Sequence, residues 1–386
     1  MAFNLKDVMF EKSRITADIV GMETEHMSEQ DENKGLFTVK PANKWIEEAK
    51  NLKPPKMLFG QLWFECELCI LFADTNMGKS ILAVQIGNAI SKGEAIKGFS
   101  LEAETQKVLY FDFELSAKQF EARYSDDFKN HYLFDCNFIR VEINTNAEIP
   151  TDTDFETYLN QSLEQAVSDT GAKVLIIDNL TYLKNGTETA KDALPLMKHL
   201  KALKAKYNLS ILVLAHTPKR DLSKPITRND LQGSKMLINF CDSSFAIGES
   251  FADKRLRYIK QIKQRNCELF YDADNVGVME IVKPVNFLQF EFINFGTERE
   301  HLRVPSEKDK AELLSQIKQL REDGKTIRDI AQTLNVSKSQ VDRLLKKEFV
   351  PLSQSEEKRD KRDKSGTMSR TTMGQGQEND DKKLPF

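Results

Sequence analysis

The stretch Ile70-Leu71-Phe72-Ala73-Asp74-Thr75-Asn76-Met77-Gly78-Lys79-Ser80 decides how the rest of the chain is read. Its first residues are apolar, its middle is small and polar, and it closes on Gly-Lys-Ser. Beyond it, Ile81-Leu82-Ala83-Val84-Gln85-Ile86-Gly87-Asn88-Ala89-Ile90 repeats its apolar residues at helical spacing. Strand, loop and helix in that order turn backbone N–H groups and a helix N-terminus toward one point and favour an anion there. Residues 73–80 are therefore the expected cradle of a nucleoside triphosphate. Gly78 keeps a Cβ out of the path of the phosphates, Lys79 reaches the β and γ phosphates, and the Ser80 hydroxyl binds Mg²⁺. Ala73 stands where such loops usually carry their first glycine. If its φ is positive the methyl costs on the order of 1 kcal/mol, and if φ is negative it costs nothing.

Outward from this loop, short apolar runs recur at Leu68 to Phe72, Val108 to Phe113, Val174 to Ile177, Leu209 to Leu214 and Phe245 to Ile247. Helical patterns at 80–91, 116–130, 155–168 and 192–206 separate the earlier ones. Alternation of this kind predicts a mostly parallel sheet with helices on both faces. From Arg255 to about Phe295 the chain is strand-rich, and 276–282 and 287–292 read as antiparallel additions at the sheet edge.

Three strand ends carry chemistry. Val174-Leu175-Ile176-Ile177-Asp178 ends in a carboxylate placed to hold Mg²⁺ through water beside the phosphate loop. Val108-Leu109-Tyr110-Phe111-Asp112-Phe113-Glu114 offers two acids for deprotonating water, with Glu114 the first choice and Asp112 the alternative. Ile211-Leu212-Val213-Leu214-Ala215-His216 ends in an imidazole able to contact the γ-phosphate and report its loss. The loop after it, 217–236, carries Lys219, Arg220, Lys224, Arg228 and Lys235 and reads as a grip on single-stranded DNA, or more blandly as a solvated loop. On the strand 257–266, Lys263 and Arg265 share one face. Such a pair can stabilise transition-state charge in a neighbouring subunit's nucleotide, which makes the chain a homo-oligomer; an ordinary charged edge strand is the alternative.

Composition bounds these readings. The 386 residues suffice for a large domain and a small one, and the 40% hydrophobic content supports a core. A formal charge of −3 excludes a general polycation, so contact with nucleic acid must come from local patches. With no apolar run of about 18 residues, no membrane span is expected. The N-terminus lacks a signal-peptide core and the five cysteines are odd in number and scattered, so the expected location is cytoplasmic.

Taken together, Ala73 to Ser80, the segment Phe113-Glu114-Leu115-Ser116 with Arg123, Ile177-Asp178-Asn179-Leu180, Ala215-His216-Thr217-Pro218-Lys219 and Lys263-Gln264-Arg265 resemble the motifs of RecA-type ATPases. Within these the chain most resembles the RepA-like branch of hexameric replicative helicases, with DnaB-type helicases further off. The resemblance covers roughly 57–295. It implies a RecA-like core, ATP and Mg²⁺ as ligands, a hexamer, Glu114 as catalytic base, His216 as sensor, and Lys263 and Arg265 acting on the adjacent subunit. Recombinases and regulatory ATPases share this core, so unwinding is implied less strongly than hydrolysis.

The expected domains are an N-terminal arm at 1–56 with one short helix, the ATPase core at 57–300, a helical unit at 306–349 and a charged tail at 352–386. In the helical unit, Ala311, Leu314, Ile317 and Leu320 mark one helix. Thr326 with Asp329 caps a second, and Ser337 with Gln340 caps a third. This looks like a helix-turn-helix of the resolvase or sigma-factor kind. Lys338, Ser339, Gln340 and Arg343 would then read duplex DNA, with Arg328, Lys346 and Lys347 on phosphates; a protein-binding three-helix module is the alternative. The tail is expected to be disordered. Its tip, Leu384-Pro385-Phe386, resembles the end of bacterial single-strand-binding proteins and implies a replication partner. The leading expectation is an oligomeric ATPase that moves on or unwinds DNA for a plasmid, phage or mobile element. The others are an ATP-switched DNA-binding regulator and a DNA-binding module with a vestigial pocket.

Overall fold

The computed structural model describes residues 37–179, 193–218, 220–231, 234–304, 306–334 and 336–348. Residues 1–36, Lys219, the side chains of Lys235 and Lys347, and the tail with Leu384, Pro385 and Phe386 lie outside them. In chain order the first elements are α1 (Ala42–Lys50), β1 (Met57–Phe59), β2 (Trp63–Phe64), β3 (Leu68–Ala73), α2 (Lys79–Lys92), β4 (Val108–Asp112) and α3 (Ala117–Arg123). There follow β5 (Ser125–Asp126), β6 (Asn130–His131), β7 (Phe138–Val141), α4 (Phe155–Thr170), β8 (Val174–Asp178), α5 (Ala193–Tyr207), β9 (Ser210–His216) and α6 (Ser234–Phe240). β10 (Ser243–Glu249), β11 (Leu256–Lys263), β12 (Val276–Val282), β13 (Gln289–Gly296) and α7 (Glu298–His301) come next, and α8 (Glu307–Glu322), α9 (Ile327–Thr333) and α10 (Lys338–Glu348) close the described chain. No helix among the described residues is long and apolar enough to cross a membrane.

One nine-stranded sheet runs β13-β12-β11-β10-β3-β9-β8-β4-β7. From β10 to β7 every neighbouring pair is parallel, whereas β11, β12 and β13 are added antiparallel. This is the mixed α/β architecture expected from the alternating pattern. The central strands are buried on both faces, so they carry unbroken apolar runs rather than alternation. Leu68, Ile70 and Phe72 of β3 join the core under α4, α5 and α6. Cys69, Leu71 and Ala73 point the other way, into the core around α2. Eleven residues of α2 are buried, because the helix packs on one face of the sheet and against its outermost strand β13. Its Gln85 accepts from Phe290 N at 2.8 Å and donates to Phe290 O at 2.9 Å, clipping the helix to the outermost strand.

Two local expectations are corrected. The helix expected over 116–130 ends at Arg123. Asp127 and Phe128 take positive φ, 50° and 57°, and turn the chain into the β5–β6 hairpin, a conformation no helix tolerates. The edge strand β7 leaves little apolar signal in the sequence, because it has four residues and Arg140 is among them.

The chain divides into two compact units, one of Met1–Arg220 with Pro225–His301 and one of Asp221–Lys224 with Leu302–Phe386. The second holds α8, α9 and α10 around Ile317, Ile330, Ala331 and Val341. Capping boxes start α8 at Ser306 with Asp309 and α9 at Thr326 with Asp329, and Ser337 Oγ accepts from Gln340 N at 3.1 Å. Leu313 rather than Ala311 packs inward on α8. Arg328, Lys338, Ser339, Arg343 and Lys346 are exposed, and Gln340 is half-buried.

Candidate nucleotide site

β3 runs straight into the phosphate loop, and α2 begins at Lys79. Gly78 has φ 92°, and a Cβ there would lie 2.8 Å from Ile281 Cδ1 and Phe290 Cζ. Glycine is therefore required by conformation and by space. Ala73 is the last residue of β3, paired in register with His216 and with Ile247, and is not among the residues of positive φ. Its methyl group carries no strain. The departure from glycine is no sign of a degraded loop.

Lys79 is 7% exposed. Its Nζ donates to Ala73 O and Asp74 O, each at 3.0 Å, and stands 3.2 Å from His216 Nδ1. Burial holds its pKa below the usual lysine value, while the carboxylates of Asp178, Glu114 and Asp74 pull the other way. Asp178, at the tip of β8, is 1% exposed and accepts from Tyr110 OH at 2.8 Å. Burial raises its pKa to about 6, although the Ser80 hydroxyl and the Tyr110 phenol stabilise its anion. Thr75, Asn76, Gly78, Lys79, Ser80, Ile81, Glu114, Arg123 and His216 line a cleft of about 260 Å³. Met77 packs against the core around α2.

The two acids at the end of β4 have different employment. Asp112 has no exposed side-chain surface. Its Oδ1 accepts from Leu115 N at 2.9 Å and from Glu114 N at 3.2 Å, and its Oδ2 accepts from Arg140 Nε at 2.9 Å. Arg140 also donates to Leu115 O at 2.7 Å. Asp112 and Arg140 thus fix the backbone of the turn that presents Glu114. The Glu114 side chain is 43% exposed and opens on the cleft. The His216 imidazole, with Nε2 3.7 Å from Glu114 Oε1, is the first cause holding its carboxyl below the usual range. Arg123 lines the same cleft with its Nη1 buried and without a hydrogen-bond partner.

Lys263 and Arg265 are not brought to this cleft. Lys263 pairs with Ser244 of β10, which pairs with Ile70 of β3. That register sets it about 10 Å below the tip of β3 and two strands aside. The two cations also differ from one another. Lys263 is half-buried, and its Nζ donates to Ile238 O at 2.5 Å and Cys241 O at 2.7 Å, around the C-terminus of α6. Arg265 has half its side chain exposed, pairs with Asp242 at 3.0 Å and donates to Asn239 O at 3.3 Å. The loop after His216 is tied to the sheet at Ile226. Ile226 N donates to Glu298 at 2.7 Å and Ile226 O accepts from Lys260 at 2.8 Å, with Lys260 and Glu298 forming a buried ion pair.

Residues 38–221 match the family model of an AAA domain. By that match this part of the chain is similar to P-loop, nucleotide-dependent ATPase domains. It takes in Lys79, Glu114, Asp178 and His216, and stops before Lys263, Arg265 and the three-helix unit. No curated protein matches the chain. Sequence reasoning passed over Tyr110, Arg140 and Asn179. Their only signal was membership of a strand, or adjacency to an acid, which many core residues share.

Proposed function

We propose that the protein is an oligomeric, Mg²⁺-dependent ATPase that acts on DNA as a helicase or translocase of a plasmid, phage or mobile element, with a RecA-like core of the RepA-like kind. The observation that carries the hydrolytic part is the convergence of Lys79, Ser80, Glu114 and His216 on one cleft, with Asp178 buried beside Ser80 at the tip of β8. Lys79 and the loop amides hold the β and γ phosphates. The Ser80 hydroxyl and the Asp178 carboxylate are hard oxygen donors suited to Mg²⁺, which neutralises phosphate charge when bound. Glu114 takes a proton from the attacking water, and His216 faces the γ-phosphate. Arg265 supplies transition-state charge to the adjacent subunit, an assignment favoured by its exposure and by its distance from its own cleft. Single-stranded DNA lies along 217–236, and duplex DNA meets α10 through Lys338, Ser339, Gln340 and Arg343.

The deciding measurement is the ATPase rate with single-stranded DNA, with duplex DNA and with neither. Stimulation by single strands together with strand displacement supports the motor. Stimulation without displacement assigns an ATP-dependent switch on DNA. A rate indifferent to all nucleic acid removes DNA from the function.

A further inference from the structure

Asn179 follows Asp178 at the end of β8 and is 4% exposed. Its amide donates to the Glu114 carboxylate, and its Nδ2 is 3.2 Å from His216 Nε2. The protons around His216 decide which of these contacts is a hydrogen bond. A lysine ammonium only donates, so His216 Nδ1, 3.2 Å from Lys79 Nζ, is the accepting nitrogen. In the neutral ring Nε2 then carries the proton and faces Glu114 Oε1, 3.7 Å away. An N–H at Nε2 cannot accept, so of these two contacts the hydrogen bond of the Asn179 amide is the one to Glu114. Donors from β8 and β9 therefore converge on a carboxylate carried by β4.

We propose that Asn179 is a positioning residue for hydrolysis, which holds the Glu114 carboxylate in one orientation beside His216. Glu114 needs such help. It stands on a turn beyond the end of β4, its side chain is half-exposed, and a long carboxylate side chain has rotamer entropy to lose on ordering. Asp112 and Arg140 fix only its backbone. The Asn179 amide adds the restraint on the side chain and couples the base to the imidazole that meets the γ-phosphate. This inference rests on the reading of Glu114 as the base.

A double-mutant cycle tests it in the full chain. Asn179→Ala is made alone and with Glu114→Gln, and single-turnover hydrolysis and ATP affinity are measured for each. Alone, Asn179→Ala is expected to slow hydrolysis about 10- to 100-fold, the cost of a misplaced catalytic group, with ATP affinity changed less than about twofold. In the Glu114→Gln background it should change the rate by less than about twofold, because the group it positions is already disabled. An equal loss in both backgrounds, a parallel loss of ATP affinity, or wild-type turnover in Asn179→Ala overturns the proposal. If Asn179→Ala does not fold, Asn179→Ser carries the same cycle. Wild-type turnover in Glu114→Gln alone sinks the base assignment itself, an outcome distinct from failure of the cycle.

Discussion

The phosphate-loop pole of the sheet and the region below it each hold a lysine against main-chain carbonyls, and the two lysines are built for different ends. Lys79 bonds Ala73 O and Asp74 O, and its remaining direction opens on His216 and the cleft. Lys263 bonds Ile238 O and Cys241 O, where the last turn of α6 leaves carbonyls unpaired. The first is a cation with acids and an imidazole around it and room for a ligand. The second is a helix cap. Beside it Arg265 bonds Asp242 and Asn239 O but keeps half of its side chain exposed. A pair that looks equivalent on one strand face is divided by burial into a structural member and an available one.

The strongest way to break this contrast is Arg265→Ala. In a shared-site oligomer it should lower turnover about 10³-fold or more while leaving ATP affinity intact, as loss of a trans-acting arginine does. Subunits with Lys79→Ala mixed with Arg265→Ala subunits should recover part of the activity. A strictly independent ATPase shows neither effect.

Glu114→Gln comes next, with turnover reduced about 10²- to 10⁴-fold and nucleotide retained, read by single-turnover hydrolysis and an ATP-binding assay. Retained turnover would move the base elsewhere, though not to Asp112 without breaking its bonds to the turn.

Asp178→Asn sharpens the contrast on stability. Burial in the folded state raises the Asp178 pKa to about 6 from the 3.8 of a free aspartate. A protonated Asp178 therefore favours the folded state, and that contribution is lost as pH rises through about 6. Asparagine does not ionise. Without Mg²⁺ or nucleotide, the variant should be more stable than the wild type at pH 8, by about 3 kcal/mol at most, and equal to it near pH 3. Denaturant melts across pH read this directly, and its turnover should be lost.

Lys263→Met should cost about 1–2 kcal/mol through the carbonyls it leaves unpaired at the end of α6. Its effect on turnover should be far below that of Arg265→Ala; equal effects would restore the two cations to one role. Ala73→Gly is the smallest change. It should destabilise by about 0.5–1 kcal/mol and bring no gain in ATP affinity, because the position is extended strand rather than left-handed turn.

The readable parts of the chain are those where local physics acts alone. Period and length mark β3, β8 and β9, since a strand buried on both faces must be apolar throughout. The cap residues Thr326 and Ser337 are legible because a helix N-terminus needs an acceptor within three residues. The hairpin after Arg123 is hidden, since it turns on positive φ at Asp127 and Phe128, residue types that do not announce it. Arg140 is hidden for another reason: its partners Asp112 and Leu115 lie on a different strand and the turn beyond it.

By itself the sequence determines the phosphate cradle, the alternation that makes the sheet, and the polar groups that end its strands, because each depends on neighbours within a few positions. Tertiary structure alone decides which of those groups remain available. It buries Asp112 and leaves Glu114 open, caps a helix with Lys263 and leaves Arg265 half-free, and brings Asn179 to Glu114 from another strand. Those outcomes are set by desolvation and by contacts between segments far apart in the chain, and no local pattern encodes them.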